Sequence, residues 1–276
     1  MAEPFTATAT MVWRHGQASA GSRLVPEETA VAFTYGGSTQ AVMMATPADL
    51  EDFAVGFTLT EGIAASPADI LAVETIESDL GIELRIDLAE ARAERLTARR
   101  RALAGPVGCG LCGIESLEEA ARAAPMVAGG TVFAAGDIAS AMTSIGALQA
   151  MNARTHAVHA AAFWRPGTPL GLLREDVGRH NALDKLAGAL ARAGMTGQGG
   201  AVLLTSRVSV EMVQKTARIG AALIVAVSAP TALAIRTAEA AGITLAAIAR
   251  ADGFEIFTHP ERIRFAEPAE EGRHVA

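Results

Sequence analysis

Cysteine occurs only twice in the 276 residues, at Cys109 and Cys112, which excludes a four-cysteine zinc site built within one chain. Aromatic residues make up only 4% while hydrophobic residues reach 50%, so the core must be assembled from small side chains in closely packed elements. A basic surplus is also missing. The formal net charge of −7 argues against a general nucleic-acid binder, whose phosphate contacts need a positive surface. No Walker A motif is present, so that common nucleotide signature is not available. The most apolar run, Gly220 to Val227, is soon interrupted by Ser228, Pro230 and Thr231; it is too short to span a bilayer and reads as a buried strand. Met1 to Gly21 lacks the basic region and apolar core of a secretory signal and reads as a weakly structured, Thr/Ala-rich tail. These absences predict a cytoplasmic protein with no membrane and no nucleic-acid partner, and in a reducing cytosol a permanent Cys109–Cys112 disulfide is disfavoured.

The two cysteines lie in V-G-C-G-L-C-G-I-E, Val107 to Glu115. Gly108, Gly110 and Gly113 let the backbone bend round a sulfur and turn its N–H groups towards it. Arg99, Arg100 and Arg101 just upstream give a locally positive field, which favours the thiolate. From spacing alone three readings stand: a structural pair, half of a zinc site completed by His156 and His159, or a redox or sulfur-carrying site. The zinc reading is awkward if His156 and His159 share a strand, because an i,i+3 pair then points to opposite faces.

The length suits one large or two small domains. The expected division is a flexible tail over 1–25, a smaller α+β domain over 26–134 carrying the cysteines, an α/β domain over 135–265 and a charged tail over 266–276. In the first domain, Thr29–Tyr35 and Gln40–Thr46 read as a hairpin across Gly36-Gly37-Ser38, followed by a helix from Thr46-Pro47 to Gly62 and strands at Ile70–Ile76 and Ile82–Leu88. Ala89 to Arg101 reads equally as helix or extended edge, and Glu115–Ala123 as a short helix. Another helix runs from Asp137 to about Met151. Strands then alternate with helices at His180–Ala193, Val210–Ala221 and Thr231–Ala241, a three-layer α/β pattern.

In such a sheet, ligands collect where strands run into helix N-termini. Three junctions are polar: Arg174-Glu175-Asp176-Val177-Gly178-Arg179-His180-Asn181, Thr205-Ser206-Arg207-Val208-Ser209, and Ser228-Ala229-Pro230-Thr231. They suit a phosphate or pyrophosphate. Each also has a plainer use: Ser209 as a helix cap, Asp184 with His180 as a surface i,i+4 pair, and Glu175 with its arginines as a solvated cluster.

The motifs G-C-G-L-C-G-I-E, R-E-D-V-G-R-H-N-A-L-D-K, S-R-V-S-V-E-M-V-Q-K and S-A-P-T, in this order over roughly Val31 to Ile263, resemble those of the FdhD/NarQ family, the formate dehydrogenase accessory sulfurtransferases. The resemblance implies that Cys109 carries a persulfide received from a cysteine desulfurase, with Cys112 as its partner through a transient disulfide. It implies delivery of the sulfur to molybdenum in a bis(molybdopterin guanine dinucleotide) cofactor, bound as substrate, which then enters the catalytic subunit of formate dehydrogenase. It further implies a homodimer, no metal held directly by the protein, and a C-terminal domain similar to the cytidine deaminase fold. The H-x-E followed by P-C-x-x-C that builds a deaminase zinc site is absent, so fold likeness carries no deaminase activity.

Carried onto this chain, the cofactor-binding set is Ile248, Ala249, Arg250, Ala251, Asp252 and Gly253, joined by Arg174, Asp176, Arg179, His180, Asn181, Ser206, Arg207, Ser209, Ser228, Thr231 and His159. The chain departs from the family at Thr155-His156-Ala157-Val158-His159-Ala160-Ala161, where two glycines are replaced, and at Ser206, where a glycine is expected. If those glycines admit the ligand closely, its affinity or pose differs here. Two other readings remain: a chaperone that delivers the cofactor without moving sulfur, and a zinc-binding module.

Overall fold

The computed structural model describes residues 3–94 and 123–265. Its first element departs from the expected tail. Strands β1 (Phe5–Arg14) and β2 (Gln17–Pro26) form an antiparallel hairpin paired from Phe5↔Pro26 to Arg14↔Gln17. The turn is His15-Gly16, with φ of 51° and 81°, the two positive values a tight hairpin turn requires. Threonine alternating with alanine has the strand period but little hydrophobicity, so the run looked like a tail.

Strands β3 (Thr29–Tyr35) and β4 (Ser38–Ala45) form the expected hairpin over Gly36-Gly37. With β5 (Ile70–Ser78) and β6 (Gly81–Leu88) they make a four-stranded sheet of order β4-β3-β6-β5, in which β3 and β6 are parallel. Helix α1 (Leu50–Thr60) covers one face, and Phe33 meets Phe57 in a stack at 4.1 Å and Phe53 edge-on at 4.9 Å. The helix starts later than Thr46-Pro47 suggested because Thr46 is committed elsewhere. Its amide donates to Asp176 Oδ2 (3.0 Å) and its hydroxyl accepts from the Val177 amide (3.2 Å). The uncertain stretch after β6 opens as a helical turn over 90–94; the helix expected at Glu115–Ala123 lies outside the described residues but for Ala123.

A second, six-stranded sheet has the order β13-β12-β11-β10-β8-β9. Its strands are β8 (His159–Trp164), β9 (Leu172–Asp176), β10 (Ala201–Leu204), β11 (Leu223–Ala226), β12 (Thr244–Arg250) and β13 (Gly253–Thr258). Strands β10, β11 and β12 are mutually parallel; β8 and β13 run against them. Side chains alternate between faces. Val202 and Leu204 pack beneath α4 (Arg179–Arg192), α5 (Val210–Ile219) and α6 (Ala232–Ala240), whereas Ala201 and Leu203 pack against α2 (Ala135–Leu148), giving three layers. The short strands β7 (Phe133–Ala134) and β14 (Ile263–Arg264) pair alongside, and Val127 already hydrogen-bonds Ala241 at 2.9 Å, so residues 124–134 pack with this second sheet. The helix expected from Asp137 to Met151 breaks at Gln149, and α3 (Ala150–Thr155) begins again because Glu175 accepts the Met151 and Asn152 amides at 2.8 Å each.

The two sheets are joined by helix contact. Helices α1 and α4 touch backbone to backbone at Gly56 and Gly188: a Cβ on Gly56 would lie 1.7 Å from the Asp184 carbonyl oxygen, and one on Gly188 1.8 Å from that of Asp52. This crossing fixes the end of α1 against α4 and α5.

Candidate functional site

Parallel β10, β11 and β12 end on one edge of the sheet, so the loops after them come together. Antiparallel β8 brings its first residue, His159, to the same edge, opposite Asp176 at the end of β9. The loops after β10 and β11 hold each other through Val208 and Thr231 amides donating to Ala229 and Val208 carbonyls at 3.4 and 3.0 Å. Thr231 caps α6 by accepting from the Ala234 amide at 3.2 Å. Arg207, Ser228, Arg250, Ala251 and Asp252 are exposed on this edge. Ser206 is buried with its hydroxyl turned to the Arg207 carbonyl at 3.0 Å.

Ile248 has φ of 55°, a left-handed conformation that costs a β-branched residue energy, at an irregularity in the β12–β13 pairing. The kink lets the Arg250 guanidinium fold back on the Ala249 carbonyl (2.8 Å) and the Val227 carbonyl at the end of β11, while Gly253, at φ of 151°, closes the turn into β13. The family segment Ile248–Gly253 therefore lies beside the β10 and β11 loops.

Arg179 and His180 open α4 at this edge. The Arg179 Nε is buried without a hydrogen-bond partner among the described residues. His180 Nε2 lies 3.5 Å from the Ser209 hydroxyl and 3.8 Å from Glu211 Oε2. Burial, reinforced by the Arg179 guanidinium, holds the pKa values of both His159 and His180 below the ordinary histidine value. Both rings are thereby biased towards their neutral form.

Other predicted residues have their hydrogen bonds inside the protein. The Arg174 guanidinium grips Asp52 on α1 at 2.7 and 2.8 Å. Asp176 accepts from Lys185 Nζ (2.6 Å), Asn181 Nδ2 (2.9 Å), the Gly178 amide (2.7 Å) and the Thr46 amide, and Asn181 also donates to the Met44 carbonyl (2.8 Å). Asp184, read as a surface partner of His180, is instead buried and accepts from Lys215 Nζ at 2.8 Å and Thr60 Oγ1 at 2.5 Å. Glu175, read as solvated, is buried at the start of α3. His156 stands exposed at the end of α3 with φ of 54°.

Sequence reasoning missed what lies beneath the edge, a cavity of about 380 Å³ lined by Phe57, Thr60, Glu61, His180, Glu211 and Lys215. Burial works against the Lys215 ammonium, but the Asp184 and Glu61 carboxylates outweigh it and raise its pKa above the usual lysine value. No local signal points to this cluster, because Thr60 and Lys215 are 155 residues apart. Cys109 and Cys112 lie outside the described residues; Ala123, Ala124 and Pro125, the first described residues beyond them, line the same cavity.

The profile of the FdhD/NarQ family matches residues 26–264. The chain belongs to that family. It is 56% identical over 251 residues to the sulfur carrier protein FdhD of Agrobacterium fabrum, covering 91% of this chain and 93% of the relative. Identity to the sulfur carrier protein FdhD of Cupriavidus necator is 49%, over 95% and 92% of the two chains. A crystal structure from Desulfotalea psychrophila, provisionally assigned as a formate dehydrogenase accessory protein, superposes with a TM-score of 0.75 at 26% identity, covering 95% of this chain and all of that one. Family membership accounts for the motif order, and the mixed α/β fold is shared with that structure. Among the described residues no helix is long and apolar enough to cross a membrane.

Proposed function

We propose that this family member is a cytoplasmic sulfur carrier, acting as a homodimer. It takes persulfide sulfur from a cysteine desulfurase onto Cys109 and passes it to molybdenum in a bound bis(molybdopterin guanine dinucleotide) substrate destined for the catalytic subunit of formate dehydrogenase. The observation that carries this reading is the pairing, in one chain, of a Cys-x-x-Cys motif with a strand-end edge that presents Arg207, Arg250 and the N-termini of α5 and α6. Exposed guanidiniums and helix N-termini are what an anionic dinucleotide needs. The sulfur carriers named among its relatives support the same reading.

The chemistry balances with the two cysteines, a donor persulfide and an external thiol reductant. The Cys109 thiolate attacks the outer sulfur of the desulfurase persulfide; that S–S bond breaks as the new one forms, and the donor cysteine leaves as thiolate. Cys112 thiolate then attacks Cys109 Sγ. The outer sulfur leaves with the electron pair as sulfide for the metal, and the resulting Cys109–Cys112 disulfide is reset by an external thiol reductant. Neutral His180, on the wall of the cavity that residues 123–125 also line, is a base able to take a proton from an incoming persulfide.

An intact-mass measurement, native and then denaturing, after incubation with a cysteine desulfurase and cysteine tests this. The expected result is a one-sulfur adduct that a reductant removes and that Cys109→Ala abolishes. Stoichiometric zinc with unmodified thiols would instead make the cysteines metal ligands. Normal formate dehydrogenase maturation by Cys109→Ala would leave only a cofactor-delivery chaperone.

A further inference from the structure

The β1–β2 hairpin is long, thin and self-paired. Ten residues per strand at about 3.3 Å each give an arm of roughly 33 Å, and none of its residues is buried. Among the described residues only its base is tied down: Arg23 donates to the Thr155 carbonyl at 3.0 Å, the Arg154 guanidinium lies 3.8 Å over the Phe5 ring, and Thr6 donates to Glu27 at 3.1 Å. An isolated two-stranded hairpin is marginal in water, and both outer edges of this one are unpaired among the described residues. Its far end nonetheless carries two large apolar side chains, Met11 and Trp13, each 73% exposed.

Charge divides along the arm. Residues 5–26 contain no carboxylate, and Arg14 and His15 sit at the tip. At the base lies a groove of about 570 Å³ with Glu3, Glu27, Glu28 and Asp79 on its walls, together with Met44 and Leu80. Leu80 is 93% exposed, the most exposed of the large apolar side chains among the described residues. Tip and groove are therefore complementary twice over, in charge and in apolar surface. They stand at opposite ends of the same arm, so the groove cannot be filled by its own tip.

We infer that the hairpin is a dimerisation arm: its tip, with Met11, Trp13 and Arg14, docks in the acidic groove of a second copy of this chain, and the second copy's tip returns the contact. A two-fold axis across the middle of two antiparallel arms produces both contacts at once, the self-complementary arrangement of an isologous dimer. The unpaired edges then lie against each other and are blunted. Carboxylates facing Arg14 set the register, while the apolar side chains supply the burial. This interface rests on the reading that two copies associate, and it is separate from the sulfur chemistry.

Analytical ultracentrifugation of the full chain over a dilution series, at low and high salt, tests it. Trp13→Glu and Arg14→Glu, both at exposed positions, each raise the dimer dissociation constant by about tenfold or more. Adding Glu28→Arg and Asp79→Arg to Arg14→Glu brings the dimer back, a rescue that misfolding would not give. A dimer indifferent to Trp13→Glu and Arg14→Glu overturns the arm while leaving dimerisation intact. Loss without rescue overturns the assigned groove, and a wild-type chain that sediments as monomer throughout overturns both. None of these outcomes touches the persulfide measurement.

Discussion

Lys185 Nζ and Asp176 Oδ2 stand 2.6 Å apart with both side chains fully buried. They close the R-E-D-V-G-R-H-N-A-L-D-K motif on itself, and Lys185 also donates to the Thr46 carbonyl at 2.8 Å. The most distinctive run of the sequence is thus divided: Asp176, Asn181 and Lys185 seat the β4–α1 loop on α4, whereas Arg179 and His180 open the helix at the candidate site. Breaking a buried pair leaves an uncompensated charge, so Lys185→Met should cost on the order of 3–5 kcal/mol. Urea unfolding measures it; a loss below about 1 kcal/mol would mean the pair is poorly formed.

A second prediction concerns the helix crossing. Gly56→Ala and Gly188→Ala each drive a methyl into a facing carbonyl at under 2 Å, which side-chain rotation cannot relieve. The helices must separate, costing about 3 kcal/mol or more per substitution. Because the crossing holds Thr60 and Glu61 against Lys215, the ordering of the cavity should go with it. Thermal unfolding of the two variants, compared with the exposed Gly146→Ala as control, decides the point.

The outline of the fold was legible because its signals are local. Alternating β-branched and apolar residues gave β3, β4, β5 and β6, and the strand–helix alternation gave the parallel strands and their polar ends. What escaped depends on distance. Arg174 reads as a ligand-binding arginine, but its carboxylate partner is 122 residues away. Asp184 reads as exposed because nothing nearby announces Lys215. The β1–β2 hairpin escaped for the opposite reason: it buries so little that no apolar pattern marks it.

Acid should weaken the fold through His159 and His180. Their folded pKa values lie below the unfolded histidine value of about 6.5. Between the two values the unfolded chain binds more protons, so stability rises with pH there and is fully present above about pH 6.5. Lowering the pH from about 7.5 to 5.5 should therefore lower Tm, and His159→Gln with His180→Gln should flatten that dependence relative to wild type. A double variant with an unchanged Tm slope would show that the acid sensitivity comes from elsewhere.

Ile248 offers a test of strain against burial. Its left-handed backbone costs about 1–2 kcal/mol, which glycine removes. The half-buried side chain packs against the core below α4 to α6, and its loss costs a similar amount. Ile248→Gly should therefore change stability by less than about 1 kcal/mol, where truncating a core isoleucine ordinarily costs about 2–5 kcal/mol. A large loss would mean that packing, not backbone shape, is what this residue contributes.

The arginines separate scaffold from site. Arg174 and Arg192 together neutralise Asp52, whose side chain is only 5% exposed, with Arg192 Nη1 at 2.6 Å. Arg174→Ala leaves that carboxylate with one partner and should destabilise the fold by about 2–3 kcal/mol, with guanosine diphosphate affinity of the folded protein unchanged. Arg207 and Arg250 stand exposed at the strand ends, so their alanine variants should each weaken binding of the same nucleotide by about tenfold, or 1.4 kcal/mol, and Arg207→Ala should keep the wild-type Tm. Calorimetric titration beside thermal unfolding reads both quantities. Because Arg250 also braces the Val227 carbonyl, Arg250→Lys distinguishes the uses: lysine keeps the charge but not the planar fork, so partial retention of affinity marks charge recognition and full loss marks the shape of the β12–β13 turn.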